Sequence, residues 1–99
     1  MFDFSDAWFL TSLIKLNKWA TMEEIVITGD IINHAVFTQD EIDNALEKLI
    51  PLGYIEYNKG EYRATERSHE LANCSAYNRA GLFTGTEVIL KRLNKTLKL

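Results

Sequence analysis

The sequence predicts an α+β domain: a bundle of three helices, then a β-hairpin, then a helical extension at the C-terminal end. Three observations carry this expectation. "TMEEI" from Thr21 and "TQDEI" from Thr38 open alike. Their T-x-x-E spacing lets a hydroxyl and a carboxylate each satisfy a backbone N–H that a helix start leaves unpaired. The hydrophobic period then changes at "YIEYNKGEYRAT", from Tyr54 to Thr65, where aromatic and β-branched residues flank a short polar turn. Helical spacing returns in "TEVILKRLNKTLKL", residues 86–99, this time with basic residues between the apolar ones.

The first helix is expected from residue 6 to about 18, where Trp8, Phe9, Leu10, Leu13, Ile14 and Leu16 form a wide apolar face. Ser5 or Asp3 is placed to cap it. Trp8 and Trp19 read as core or interface aromatics. A break at 17–20 precedes the second helix, which starts at the Thr21–Glu24 box and carries Met22, Ile25, Val26, Ile31 and Ile32 to about Asn33. Gly29 inside it costs roughly 1 kcal/mol relative to alanine, so a close approach by the next helix is expected there. "NHAVF" is the turn, with His34 a locally bonded or solvent-facing residue of it. The third helix runs from the Thr38–Glu41 box to Ile50. Its Ile42, Ala45, Leu46, Leu49 and Ile50 follow an i, i+3, i+4, i+7, i+8 stripe, and Pro51 and Gly53 end it.

Asn58-Lys59-Gly60 is the expected hairpin turn. Thr65 is expected to cap a helix over "ERSHELANCSAY", residues 66–77, and 78–86 to be a connector. In the last helix Leu90, Leu93 and Leu97 recur every three or four residues. That spacing suits a partner helix across a dimer interface, or packing against the first helix of the same chain.

Ninety-nine residues allow one hydrophobic core. Apolar runs reach only three or four residues, as at Ala7-Trp8-Phe9-Leu10, too short to cross a membrane. The acids of "MFDFSDAWF" stand where a secretory signal carries positive charge. The single cysteine, Cys74, has no partner for an internal disulfide, and a reducing cytoplasm is the expected setting. The net charge of −3 is unevenly spread. Residues 1–70 hold six Lys/Arg against thirteen Asp/Glu, whereas 71–99 hold Arg79, Lys91, Arg92, Lys95 and Lys98 against Glu87 alone. An acidic body with a basic tail marks either a nucleic-acid contact in the tail or two surfaces that attract each other in an oligomer.

Helix, helix, turn, helix, hairpin, with Leu49, Leu52, Gly53, Tyr54 and Ile55 and then Tyr62, Thr65 and Leu71, resembles the winged helix-turn-helix of bacterial regulators of the MarR and PadR kind. The resemblance covers residues 6–72 and departs at Ala64, where Leu is usual, and at Ser68, where Gly is usual. It implies a winged-helix domain over 1–72, and leaves 73–99 as a basic helical extension whose leucine spacing allows dimerisation. It also implies that the third helix enters the major groove of duplex DNA while the hairpin touches the backbone. Carried over, the DNA-binding candidates are Gln39, Asn44 and Lys48 on that helix and Lys59 and Arg63 on the wing. A small, dimeric, cytoplasmic transcription regulator is the leading expectation.

The outward face of the third helix conflicts with that expectation. Asp40, Asp43 and Glu47 point outward by helical spacing, with Glu41 in the first turn, and a groove-reading face normally offers Arg, Lys, Asn or Gln to a polyanion. The alternative is a winged helix that binds a protein partner through acidic residues 38–50 and no nucleic acid. No enzyme, metal or cofactor site is expected. "HELAN" lacks the second histidine of a zinc-binding H-E-x-x-H, and His69 and Cys74, five apart, diverge on a helix. No C-x-x-C, P-loop or G-x-S-x-G is present, and Cys74 reads as a small buried residue.

Overall fold

The structure is a computed structural model and describes residues 1–97. Among these residues six helices and one two-stranded antiparallel sheet form an α+β fold, in the order α1 (Phe4–Leu16), α2 (Met22–Asn33), α3 (Gln39–Leu49), β1 (Ile55–Asn58), β2 (Glu61–Ala64), α4 (Glu66–Ala72), α5 (Ser75–Asn78) and α6 (Leu82–Lys95). No described helix is long and apolar enough to cross a membrane. Lys98 and Leu99, the end of the expected last helix, lie outside the described residues.

α1 is the axis of the domain, with α2, α3 and α6 packed around it. It starts two residues before its expected first residue. Asp3 accepts from the Asp6 backbone N–H at 3.1 Å while the Asp6 carboxylate accepts from that of Asp3 at 2.9 Å. This is the reciprocal box of a helix start, built from two aspartates. Every residue from Asp6 to Ile14 is buried, polar ones included. A helix enclosed on all sides needs apolar residues around its whole circumference, which the run of Trp8, Phe9 and Leu10 supplies. Asn17, in the left-handed region at φ 49°, ends α1. The break that follows brings Ala20 beside β2, where Ala20 and Tyr62 exchange two backbone hydrogen bonds of 2.8 Å.

Both T-x-x-E boxes form as their spacing predicts. Thr21 and Glu24 open α2, and Thr38 and Glu41 open α3. His34 closes α2 in a left-handed turn at φ 53°. The close approach expected at Gly29 from the next helix comes instead from Phe37 in the turn before it: a Cβ on Gly29 would lie 2.3 Å from Phe37 Cε2. α3 buries Ile42, Ala45 and Leu49. In the hairpin, Lys59 (φ 50°) and Gly60 (φ 84°) both take the left-handed conformation that a tight two-residue turn requires.

The segment after the hairpin differs from its expectation. The Thr65 hydroxyl does not cap α4; it donates to the Gly53 carbonyl at 2.6 Å, and its backbone N–H donates to Tyr54 at 3.1 Å. Ser68, fully buried, also donates to the Tyr54 carbonyl. Thr65 and Ser68 therefore fasten the base of the hairpin to α4. The helix expected over 66–77 is two pieces, broken at Asn73 and Cys74, which leave helical geometry. Leu71 and Tyr77 are both buried. Six residues apart on one continuous helix they would face different ways, and the break lets both reach the core.

The connector expected over 78–86 is helical from Leu82, because tertiary contacts recruit it. Phe83 packs on Phe4 with ring centres 5.2 Å apart, and Tyr77 lies over Gly85. The last helix packs against α1 of its own chain, one of the two placements its leucine spacing allows. Leu93, a candidate for either a subunit interface or the chain's own core, is fully buried in its own chain together with Ile89, and Leu90 is half-buried against the same core. Buried residues on both sides of residue 72, Leu71 and Tyr77 among them, belong to the same core. Asn94 joins the two ends of the chain, accepting from the Phe2 backbone N–H at 2.8 Å and donating to the Phe2 carbonyl at 3.0 Å. Of the leucine stripe, only Leu97 remains exposed.

Candidate functional site

α3 is held to α1 by a polar pin at each end. At its start Glu41 accepts from the Ser5 hydroxyl at 2.7 Å as well as from the Thr38 backbone. The Thr38 N–H and then the Ser5 hydroxyl hold the Glu41 carboxyl below the usual carboxylate range. At its end Lys48 donates to Asp6 Oδ2 at 2.8 Å, with Asp3 Oδ2 at 4.0 Å. The hydrogen bond to Asp6 raises the Lys48 ammonium above its ordinary value. Asp6 is fully buried, and Lys48 is its one charged partner among the described residues.

Lys48 is the only cation in α3, and its charge is thus spent inward on α1. The outward face is left with Gln39, Asp40, Asp43, Asn44 and Glu47, all exposed. Gln39 does not stand free, since its amide donates to Asp43 Oδ1 at 2.9 Å. Beside these residues runs a shallow groove lined by Leu46, Ile50 and Pro51 and edged by Asp43 and Glu47. Leu46 was expected in the buried stripe; it is half-buried, and Ile50 is exposed. A stripe wider than its contact leaves an edge in solvent, and that mismatch is the sequence signal for the groove.

On the hairpin, Lys59 stands exposed at the tip. Arg63 pairs across the strands with Glu56 at 3.2 Å, and its guanidinium lies 4.5 Å over the Trp19 ring. The row Trp19, Arg63, Glu56 engages the second hairpin cation, at a site far more exposed than that of Asp6 and Lys48. Lys18, at the edge of the same cleft, is bonded to Glu24, and that bond is the main cause of a lowered Glu24 pKa. The five sequence-predicted DNA contacts are therefore not brought together as a positive face. Gln39 and Asn44 share the α3 surface, Lys48 turns away from it, Lys59 is at the hairpin tip, and Arg63 is paired with Glu56. Cations without an ion-pair partner among the described residues gather on α6, where Lys91, Arg92 and Lys95 are all exposed.

Among the described residues no group of three His, Cys, Asp or Glu is arranged to hold a metal ion. Cys74 is half-buried, its Sγ 3.9 Å from the Leu71 carbonyl.

The inward direction of Lys48 has a measurable consequence. Lys48→Met is expected to lower stability by about 2 kcal/mol in urea denaturation near neutral pH. Removing one partner of a buried pair costs about 3–5 kcal/mol, and the value is discounted because the Lys48 side chain is 38% exposed and partly screened by water. A lysine whose pKa is raised on folding contributes fully below its unfolded value of 10.5, and the contribution is lost as pH climbs through the folded value. The gap between the two chains should therefore close above pH 10.5. A gap that persists there would show that the aliphatic stem, and not the charge, is what matters.

Compared with known proteins, the chain matches no protein family, no curated protein and no solved structure.

Proposed function

We propose that this chain is a winged-helix domain that acts as a protein-interaction module, with the outer face of α3 as its docking surface. The element order α1, α2, α3, hairpin supports the winged-helix reading, as does the Ala20–Tyr62 bridge that lays a third, single-residue segment against β2. The observation that carries the functional reading is the 2.8 Å contact between Lys48 and Asp6. It leaves carboxylates and an apolar groove where a DNA-reading helix needs cations. Such a face takes a basic segment with an apolar side: the groove accepts the apolar residues, and Asp43 and Glu47 accept the charges at its edge.

Duplex DNA is the second reading. It draws on Lys59 at the wing tip and on Lys91, Arg92 and Lys95 of α6, and it makes the protein a transcription regulator. One titration separates the two. Isotope-labelled protein is followed by amide chemical shifts against a mixed-sequence DNA duplex and, separately, against a helical peptide of leucine and lysine. The peptide is expected to move the signals of Asp43, Leu46, Glu47 and Ile50, and the duplex to leave the α3 and hairpin signals in place at low and at near-physiological salt. Duplex binding that weakens steeply with salt, and that falls in Lys59→Ala with Arg63→Ala, would replace the first reading with the second.

A further inference from the structure

We infer that the α3 groove takes the basic end of α6 from a second copy of this chain, so that copies join face to tail. The inference rests on the protein-docking reading above and names the partner of that same surface.

Three features of the two surfaces correspond. The first is charge. Asp43 and Glu47 edge the groove, Lys91, Arg92 and Lys95 are exposed on α6, and none of the five has an ion pair among the described residues. The second is spacing. Asp43 and Glu47 are four residues apart on one helix, and so are Lys91 and Lys95 on the other. Each pair therefore spans one helical turn, about 5–6 Å, and two carboxylate–ammonium rungs can form at once when the helices lie alongside each other. The third is the apolar component. Leu46, Ile50 and Pro51 line the groove, and Leu97, 47% exposed, stands just past the end of α6, two residues from Lys95.

Among the described residues these charges meet no opposite charge, and Asp43 accepts only from the neutral Gln39 amide. α6 presses Ile89 and Leu93 onto the core, leaving its cations on the far side, and α3 likewise buries Ile42, Ala45 and Leu49. Each copy thus carries one donor surface and one acceptor surface. Because the two surfaces differ, the contact is heterologous. The opposed charges set its register and its salt dependence.

The test is the mass of the full chain in solution, by sedimentation or light scattering, at about 0.02 M and about 0.5 M salt. At low salt the average mass is expected to rise with concentration above the 11.4 kDa of one chain, and at high salt to return to it. A face variant, Asp43→Asn with Glu47→Gln, and a tail variant, Lys91→Gln with Lys95→Gln, change only exposed side chains. Each alone is expected to weaken association about two- to thirtyfold, since two surface ion pairs are lost. Mixed together, the tail variant's intact face and the face variant's intact tail should form a two-chain species and nothing larger.

A parent chain that is monomeric at every salt and concentration overturns the inference. So does association that the tail variant leaves unchanged. If the leucine–lysine peptide still binds α3 in either case, the docking reading stands and only its occupant is wrong. If the peptide does not bind and the duplex moves the α3 signals, the docking reading itself fails.

Discussion

Phe37→Ala lowers the stability of this domain by about 4 kcal/mol, the range for truncating a buried aromatic ring. Phe37 is only 6% exposed although it lies in the turn between α2 and α3. Its ring stacks on Trp8 with centres 3.7 Å apart and meets the edge of Phe9 at 5.3 Å. Trp8 is fixed in turn by its indole N–H, which donates to the Gly29 carbonyl at 2.8 Å. Phe37 is therefore the piece that seats the α2–α3 turn against α1, and removing it opens a cavity beside a ring that cannot follow. Urea denaturation monitored by tryptophan fluorescence reads the loss as a lower midpoint at unchanged slope. A loss under about 1 kcal/mol would mean that the turn is seated by something else.

Gly29→Ala is expected to cost about 3 kcal/mol, opposite in sign to its local effect. In a helix interior alanine is favoured over glycine by about 1 kcal/mol, so the α2 sequence alone predicts stabilisation. The added Cβ, however, would fall 2.3 Å from Phe37 Cε2 and 3.0 Å from Cζ. A flexible side-chain end would step aside, but this is a rigid ring held on one side by Trp8 and on another by Phe9. The helix or the ring must shift, and overpacking of this kind costs about 1–3 kcal/mol beyond the propensity gain.

The two substitutions are coupled. In a Phe37→Ala background the obstacle is gone, and Gly29→Ala should become neutral or stabilising. A double-mutant cycle measures this directly. Additive losses would show that the glycine is required for some reason other than the ring.

The groove on α3 and the stack at Phe37 depend on each other. The stack and the two polar pins, Ser5–Glu41 and Lys48–Asp6, fix how α3 lies on α1. That orientation decides which residues of α3 are left outside. If Lys48 faced outward, α3 would offer a cation beside Gln39 and Asn44, and the same sequence would present a different surface.

What the sequence determined by itself is local. The Thr21–Glu24 and Thr38–Glu41 boxes, the stripe of Ile42, Ala45 and Leu49, and the Asn58-Lys59-Gly60 turn depend on residues a few positions apart. The number of elements before residue 65, their order and the acidity of the α3 surface were readable for that reason. What only the tertiary structure decided involves distant partners. Lys48 meets Asp6 across 42 positions and Phe2 meets Asn94 across 92. The Thr65 hydroxyl goes to Gly53 in place of its own helix, and the α4–α5 break serves the burial of Tyr77. Leu93 and Leu97 belong to one periodic stripe, yet one is core and the other surface. Periodicity states that a face is apolar; it does not state how far the neighbouring helix extends over it. A lysine is likewise free or spent according to whether a buried carboxylate lies within reach of its ammonium, and only the packing of α3 on α1 brings one there.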